Sequence, residues 1–175
     1  MNNLVETNKG HFENDEYVFF WNGVFSNWHP ADFTMGFKDE FTIDFTSSEQ
    51  AMMFTKAVLF EDVDAAQAIM ETDYPKEQKA IGRIIKGFDF AMWDSQCVDL
   101  VTNILIAKFQ QNPPMMDVLL ATGNKTIVEY SKYDNIWAIG MDITDPDILD
   151  ESEWRGKNYL GICLMNARDI LNQSN

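Results

Sequence analysis

Hydrophobic positions along the chain recur mainly at intervals of three and four residues and alternate at intervals of two in a few short stretches. Residues 17–21 form an apolar run before Asn22-Gly23, a pair typical of a hairpin turn, so we expect a return strand from Val24. Residues 41–46 alternate between apolar and polar and predict a half-buried strand. Residues 125–130 are also strand-like, so these stretches predict a small amount of sheet.

The helical period covers most of the remaining chain. The predicted helices start at Thr46 or Ser47, after Asp62, at Pro75, at Trp93, at Met115 and near Asn158. We expect the helix from Pro75 to end at Gly87 and the helix from Trp93 to end at Asn112-Pro113-Pro114, because glycine and proline end helices. No repeat or linker interrupts this pattern. At 175 residues it predicts a single domain over residues 16–175, after a polar, flexible segment 1–15.

The helix that begins at Thr46 or Ser47 carries two charged residues on one face. Glu49 and Lys56 are two helical turns apart, so their Cα atoms lie about 10 Å apart and both side chains can reach a molecule over the turn between them. The structural interpretation is that Glu49 completes a capping box with Thr46, the alternative box being Ser47 with Gln50, and that Lys56 extends its ammonium to water. The spacing by itself favours that structural interpretation.

Two further segments combine charge with small or aromatic residues. Arg83 follows Gly82, and a small residue lets a ligand approach a guanidinium suited to phosphate. Asp134 stands three residues before Trp137, so the carboxylate can bind hydroxyls while the ring stacks on a base or sugar. A capping aspartate and a core tryptophan explain the second pair equally well.

The composition narrows the class of function. Hydrophobic residues make up 46% of the chain and aromatic residues 13%, which indicates a globular protein. The formal net charge of -15 opposes charge-driven binding to a nucleic-acid backbone. It does not oppose the binding of a single nucleotide or an extruded base in a local basic pocket.

The rare residues argue against metal and membrane functions. Cys97 and Cys163 fall in apolar helical patterns, so we expect free, buried thiols in a cytoplasmic protein. His11 and His29 have no metal-ligand spacing with the cysteines, and we expect neither a metal nor another cofactor. We find no apolar run of membrane-spanning length and no signal-peptide pattern, so we expect no membrane partner.

Short motifs occur in order along nearly the whole chain and together resemble those of one family. They are Phe25-Ser-Asn-Trp28, Ser48-Glu49 with Met53 and Lys56-Ala57, Ile81-Gly-Arg83, Lys108-Phe109 with Asn112, Leu119 to Gly123, Asp134 with Trp137 and Gly140, and Trp154 to Gly161. The chain resembles the NADAR family, also called the YbiA-like family. Two positions depart from the pattern: Gln50 stands where the family often has His, and Ala138 stands where it has Gly.

The resemblance implies an α+β fold: a mostly helical single domain with a small N-terminal β-hairpin or sheet. It also implies an N-glycosidase, a hydrolase acting on N-glycosyl bonds. Family members are associated with cleaving the base–ribose bond of riboflavin-pathway intermediates and with removing ADP-ribose from guanine in nucleic acids. The expected substrate is therefore a small nucleotide or an ADP-ribosylated base, with modified nucleic acid as a further class. No oligomeric state is predicted.

The resemblance also carries over a set of site residues. The catalytic residues would be Glu49, Lys56 and Asp134, and the substrate-binding residues would be Trp93, Trp137, Arg83, Asn158, Gly82 and Asn27. Glu49 would stabilise positive charge on the ribose C1 or activate water, and Asp134 would hold ribose hydroxyls. Lys56 would hold Glu49 ionised, donate to the leaving base, or attack the opened sugar as an amine to give a Schiff base.

Two other functions stay open at the level of sequence. The first is a non-catalytic module that binds ADP-ribose or a related nucleotide, and Gln50 in place of His is its best support. The second is a structural or inhibitory protein that uses its acidic surface against a basic partner.

Overall fold

The computed structural model describes residues 3–7, 10–37 and 41–173. The elements in chain order are β1 (Val5–Glu6), β2 (Phe12–Glu13), β3 (Tyr17–Phe20), β4 (Pro30–Phe37), β5 (Phe41–Ser47), α1 (Ser48–Leu59), α2 (Val63–Met70), α3 (Pro75–Gly82), α4 (Phe90–Gln111), α5 (Pro113–Leu120), β6 (Thr126–Glu129), a 3-10 helix (Glu151–Glu153) and α6 (Tyr159–Gln173). The predicted α+β class, mostly helical, is confirmed. The chain divides into two compact units, Met1–Ser26 with Pro114–Asn175, and Asn27–Pro113. A single domain over residues 16–175 stays a prediction.

The unit formed by Met1–Ser26 and Pro114–Asn175 is built on a four-stranded sheet in the order β1-β2-β3-β6. Strands β1, β2 and β3 are antiparallel, whereas β3 and β6 are parallel. A cluster of buried side chains forms the core on this sheet: Phe19, Val128, Ile139, Met141 and Ile148. Helix α6 packs on β6, and a side chain at Gly161 would run into the carbonyl of Ile127. The strand β6 and the helix α6 were both predicted.

The predicted hairpin after β3 is wrong. Residues 21–29 form turns, and Gly23 takes a φ of +76° while its carbonyl accepts the Ser26 N–H at 3.0 Å. Both edges of β3 are already paired, one with β2 and the other with β6, so a return strand has no place beside it. The chain instead turns Phe25 inward, where its ring meets the ring of Phe20 with 5.5 Å between centroids.

The N-terminal segment contains structure that its polar composition did not predict. Within residues 1–15, which we expected to be flexible, the described part includes β1 and β2. Phe12 pairs with Phe19 of β3, and His11 is buried with its ring 5.6 Å from that of Phe25. These pairings extend the sheet by two short strands. Residues 1, 2, 8 and 9 of the segment lie outside the described residues.

The unit Asn27–Pro113 combines the antiparallel pair β4–β5 with helices α1 to α4. Strand β5 was predicted, and it runs without a break into α1. Strand β4 was not, because Pro30 and Gly36 are residues that strands disfavour. The end of α4 holds it: the Gln111 carboxamide exchanges two hydrogen bonds of 2.9 Å with the backbone of Thr34.

Helix α3 ends at Gly82, earlier than the predicted end at Gly87. The Lys86 N–H is bound at 2.7 Å by the Asp62 carboxylate, which caps α2, and this contact draws the chain out of the helix. Ile84, which lies beyond the end of the helix, is 78% exposed. Among the described residues, none of the helices has the length and apolar character needed to span a membrane.

Candidate active site

Helix α1 begins at a cap that does not use Glu49. The Ser47 hydroxyl accepts the Gln50 N–H at 3.2 Å, which defines the N-cap. The Gln50 carboxamide oxygen in turn accepts the Thr46 N–H at 3.0 Å. The capping residues are therefore Ser47 and Gln50. The structural interpretation that Glu49 is the glutamate of a capping box does not hold.

The Glu49 side chain is buried, with 2% of its surface exposed. Its backbone N–H donates to the Asn27 carbonyl at 2.9 Å, which ties the first turn of α1 to the segment before β4. A carboxylate so far from water is costly unless the surrounding structure favours its charge. The helix N-terminus supplies such an influence, and the charge of Lys56 supplies another.

Lys56 lies two turns further along α1 and is half-buried among a carbonyl and two aromatic rings. Its Nζ donates to the Gly82 carbonyl at 2.7 Å. The same atom lies 4.1 Å from the ring centroid of Phe88 and 5.7 Å from that of Trp93. Burial lowers the pKa of the Lys56 ammonium, and the charge of Glu49 opposes that lowering. The predicted pair is thus electrostatically coupled within one helix, while Trp93 faces the same amine.

Gly82 serves this arrangement through its carbonyl and through the space above its Cα. A side chain there would collide with the thioether of Met53, which packs on Gly82. The space that we expected a ligand to use is therefore filled by Met53. Arg83 is exposed at the C-cap of α3, and its phosphate-binding role stays a prediction.

Asn27, a predicted substrate-binding residue, is buried next to the start of α1. Its carbonyl accepts the Glu49 N–H, and its amide nitrogen lies 3.9 Å from the sulfur of Met52. Its side-chain oxygen is buried, and no donor among the described residues reaches it. Asn27 thus combines a backbone contact with Glu49 and a side-chain amide oxygen that has unused hydrogen-bonding capacity.

Gln50, which departs from the family pattern, points away from Glu49. Besides the Thr46 N–H, its carboxamide reaches the carbonyls of Ile69 and Thr72, each at 3.4 Å. It thereby joins the start of α1 to the connection between α2 and α3. This is a structural role, and the departure at Gln50 does not argue for a loss of catalysis.

Asp134, Trp137 and Asn158 belong to the unit formed by Met1–Ser26 and Pro114–Asn175, whereas the other predicted site residues belong to Asn27–Pro113. One Asp134 carboxylate oxygen accepts the N–H groups of Ile136 at 3.0 Å and of Trp137 at 2.9 Å. Asp134 thus closes the turn that presents Trp137. The Trp137 ring stands edge-on to Tyr159, 6.2 Å between centroids.

Asn158 precedes α6 with a φ of +53° and is buried. Its carboxamide accepts the Glu129 N–H at 3.1 Å and donates to the Ile127 carbonyl at 2.9 Å. The side chain therefore joins the start of α6 to β6. Its predicted contact with phosphate or ribose stays a prediction.

Sequence reasoning missed Phe88 and Lys108. Phe88 follows Gly87 just before the first turn of α4, and an aromatic residue beside the predicted Trp93 was the available signal. Lys108 lies on the apolar face of α4 and is fully buried. Burial lowers the pKa of the Lys108 ammonium to about 7. The pKa of His29 is also lowered, first by burial and then by the positive charge of Lys108. A charged residue inside an otherwise apolar stripe was the signal for Lys108.

The chain is similar in sequence to proteins of one known family. The family model described as NADAR domain matches residues 18–172. The N-glycosidase R617 of Acanthamoeba polyphaga mimivirus is 40% identical over 165 residues, which cover 90% of this chain and 97% of that protein. The riboflavin biosynthesis protein VVA0006 of Vibrio vulnificus (strain YJ016) is 26% identical over 171 residues, 98% of this chain and 40% of that protein.

A solved structure agrees with the fold. The NMR structure of the Escherichia coli protein YbiA aligns with a TM-score of 0.71 and 25% identity, over 97% of this chain and 92% of that one. We expected a hydrolase acting on N-glycosyl bonds. This enzyme class is confirmed, since the mimivirus relative is an N-glycosidase by name. With a family model that spans nearly all of its length, the chain belongs to the NADAR family.

Proposed function

We propose that the chain hydrolyses the N-glycosidic bond between a base and a phospho- or ADP-ribose, with Glu49 and Lys56 as its catalytic pair. The observation that carries the proposal is the burial of Glu49 beside a charge-coupled lysine whose Nζ is fixed at 2.7 Å on the Gly82 carbonyl. A buried carboxylate beside a lysine whose pKa is shifted by its surroundings is typical of catalytic sites. The name of the mimivirus relative, an N-glycosidase, supports the same reaction.

The reaction needs a carboxylate of this kind. As the bond from C1 to the base nitrogen breaks, positive charge grows on the ribose and negative charge on the base. Glu49 stabilises the first by its charge, or takes a proton from the attacking water. The water oxygen ends on C1, and the base leaves with a proton.

Lys56 can act in two ways that differ in its protonation state. The Gly82 carbonyl, the two rings and the Glu49 charge all favour the ammonium, which can donate to the leaving base. Burial favours the neutral amine, which can attack the opened sugar and form a Schiff base with loss of water. Reduction with sodium borohydride during turnover separates the two, since only a Schiff base becomes a stable adduct on Lys56.

The further site residues are proposed on the family resemblance, each with a feature of its own surroundings. Asn27 supplies a buried amide oxygen for a hydroxyl or N–H donor of the substrate. Trp93 covers Lys56, Asp134 binds ribose hydroxyls, and Trp137 offers its ring to the base. Arg83 and Asn158 contact phosphate or ribose, and Gly82 acts through its carbonyl.

Two substrate classes fit the proposed reaction. One is a phosphoribosylamino-pyrimidine of riboflavin synthesis, which the name of the Vibrio relative supports. The other is ADP-ribosylated guanine, free or exposed in a nucleic acid. The net charge of -15 favours small nucleotides and exposed bases over intact duplex, because extruding a base costs a few kcal/mol and this chain offers little backbone attraction to offset it.

The test is a product assay by mass spectrometry on the purified protein and its Glu49→Gln variant. Each is incubated with ADP-ribosylated guanine and with a phosphoribosylamino-pyrimidine. Release of free base from one substrate by the native protein, lost in Glu49→Gln and kept in the exposed control Glu61→Gln, is the expected result. Bound substrate that stays intact in the native protein would overturn the proposal in favour of a non-catalytic binding module.

A further inference from the structure

Phe88 presents its ring to the Lys56 ammonium at shorter range than Trp93 does. The Nζ atom is 4.1 Å from the Phe88 centroid and 5.7 Å from the Trp93 centroid. Both lie within the range of about 6 Å over which a ring face attracts a cation. Phe88 is therefore the closer aromatic partner of the proposed catalytic lysine.

The backbone that carries Phe88 is anchored on both sides. Before it, the Lys86 N–H is bound by the Asp62 carboxylate at 2.7 Å. After it, the Asp89 carboxylate accepts the Met92 N–H at 2.7 Å and caps α4. The segment between α3 and α4 is thus held at the α1–α2 corner and at the first turn of α4.

The ring itself is also fixed. Gly87 takes a φ of +71°, a conformation that favours glycine, and this turn directs Phe88 back toward α1. The Phe88 ring meets the ring of Phe60 at 66°, with 5.2 Å between centroids. Phe60 is the C-cap of α1, the helix that carries Lys56. The ring is therefore set against the same helix as the amine that it faces.

The two rings beside Lys56, those of Phe88 and Trp93, differ in their exposure to solvent. Trp93 is 7% exposed and belongs to the interior, whereas Phe88 is 42% exposed. Phe88 is thus the solvent-facing wall of the lysine site. Its ring has two opposed effects: it keeps water from the amine, which disfavours charge, and its π face attracts the ammonium.

From this geometry we propose that Phe88 is a positioning residue for Lys56. The Phe88 ring holds the Lys56 amine on the Gly82 carbonyl and influences whether that amine carries a proton. The inference rests on the proposed function insofar as Lys56 takes part in the reaction. The contact between Phe88 and Lys56 can be tested without any substrate.

The test is an NMR titration of the native protein and variants labelled with ¹³C-lysine, with the Lys56 signal assigned by its absence in Lys56→Met. Phe88→Leu keeps apolar cover over the amine and removes the π face, so the pKa of Lys56 falls by about 0.5 to 1 unit. The limb of the pH–rate profile that reports Lys56 moves down by the same amount. Phe88→Trp, which offers a stronger π face, raises the pKa and carries the test if Phe88→Leu does not fold.

The matched control is Phe90→Leu, the same change two residues further on, at a ring that is 54% exposed. Its Lys56 pKa equals that of the native protein. An unchanged Lys56 pKa in the Phe88 variants, or an equal shift in Phe90→Leu, overturns the proposal. Failure to find turnover would count against the proposed function and leave this titration decisive for Phe88.

Discussion

At the scale of single residues, Glu49 and Gln50 show how neighbours on one helix take different tasks. Adjacent helical positions diverge by about 100° around the axis. Gln50 therefore reaches Thr46 and two carbonyls, one in the last turn of α2 and one just after that helix, while Glu49 shares its face with Lys56. Gln50 stabilises the start of the helix, and Glu49 is the residue for which we propose the catalytic role.

Replacing Gln50 should lower stability without abolishing turnover. Gln50→Leu keeps the volume but removes the hydrogen bonds to the Thr46 N–H and to the Thr72 carbonyl, as well as the buried one to the Ile69 carbonyl, at a cost of about 1 to 3 kcal/mol of unfolding free energy. Urea unfolding measures this cost. Gln67→Leu, at an exposed glutamine on α2, is the control and should change stability by less than about 0.5 kcal/mol. A Gln50→Leu protein of native stability would contradict the assignment.

Lys108 is a second residue whose surroundings determine its behaviour. It is fully buried on α4, and burial lowers the pKa of its ammonium to about 7. Below that pH the folded and unfolded states both hold the proton. Between about pH 7 and the ordinary lysine value near 10.4, only the unfolded state holds it, so the free energy of unfolding rises with pH.

Comparison with Lys108→Met isolates this contribution, because the other titrating groups are common to both proteins. The slope is about 1.4 kcal/mol per pH unit well above the folded pKa. Between pH 7 and 9 the native protein should therefore gain about 2 kcal/mol relative to the variant. Urea titrations at pH 7, 8 and 9 check this. If the free energies of unfolding of the native protein and of Lys108→Met change in parallel over that range, the pKa of Lys108 is not lowered by burial.

At the scale of elements, the end of α3 is shaped by α1. The Gly82 carbonyl accepts the Lys56 ammonium, and the Met53 thioether fills the space over its Cα. Two successive turns of α1 thus meet the last residue of α3. The sequence pattern predicted a helix that ends at Gly87, because no local signal indicates that the Gly82 carbonyl binds Lys56 of another helix.

Gly82→Ala tests that contact, because two effects oppose each other. In a helix, alanine is favoured over glycine by about 1 kcal/mol. Here its methyl group would collide with Met53, and crowding of a packed site costs about 1 to 3 kcal/mol. We expect net destabilisation that shrinks when Met53→Ala makes room, measured as a coupling in a double-mutant cycle. Additive effects of the two changes would show that the residues do not crowd each other.

At the scale of the whole molecule, sequence patterns identified most helices, several strands and the family, but not the pairing of the strands. The helices from Ser48, Val63, Phe90 and Tyr159 follow periodicity and caps, which are local signals. Strand β3 pairs with β2 on one edge and with β6, more than 100 residues further along the chain, on the other, and no local pattern encodes the pairing with β6. This is why Asn22-Gly23 was misread as a hairpin.

The candidate site was predictable to a similar degree. The Glu49–Lys56 spacing follows from helical geometry, and the motifs named both residues. Phe88 and the Gly82 carbonyl enter through tertiary contacts with Lys56, which spacing along the chain does not report. The burial of Glu49, which turns a possible capping residue into a candidate catalyst, also depends on packing.

The measurement that tests the central claim most directly pairs kcat with the dissociation constant for Glu49→Gln. With the substrate that the native protein cleaves, we expect kcat to fall by about 10² to 10⁴, the usual contribution of a positioned acid–base or charged group. The dissociation constant, from calorimetry on the uncleaved complex, should stay near that of a non-hydrolysable analogue bound to the native protein. If Glu49→Gln instead turns over at close to the native rate, Glu49 is not the catalytic carboxylate and the assigned centre is wrong.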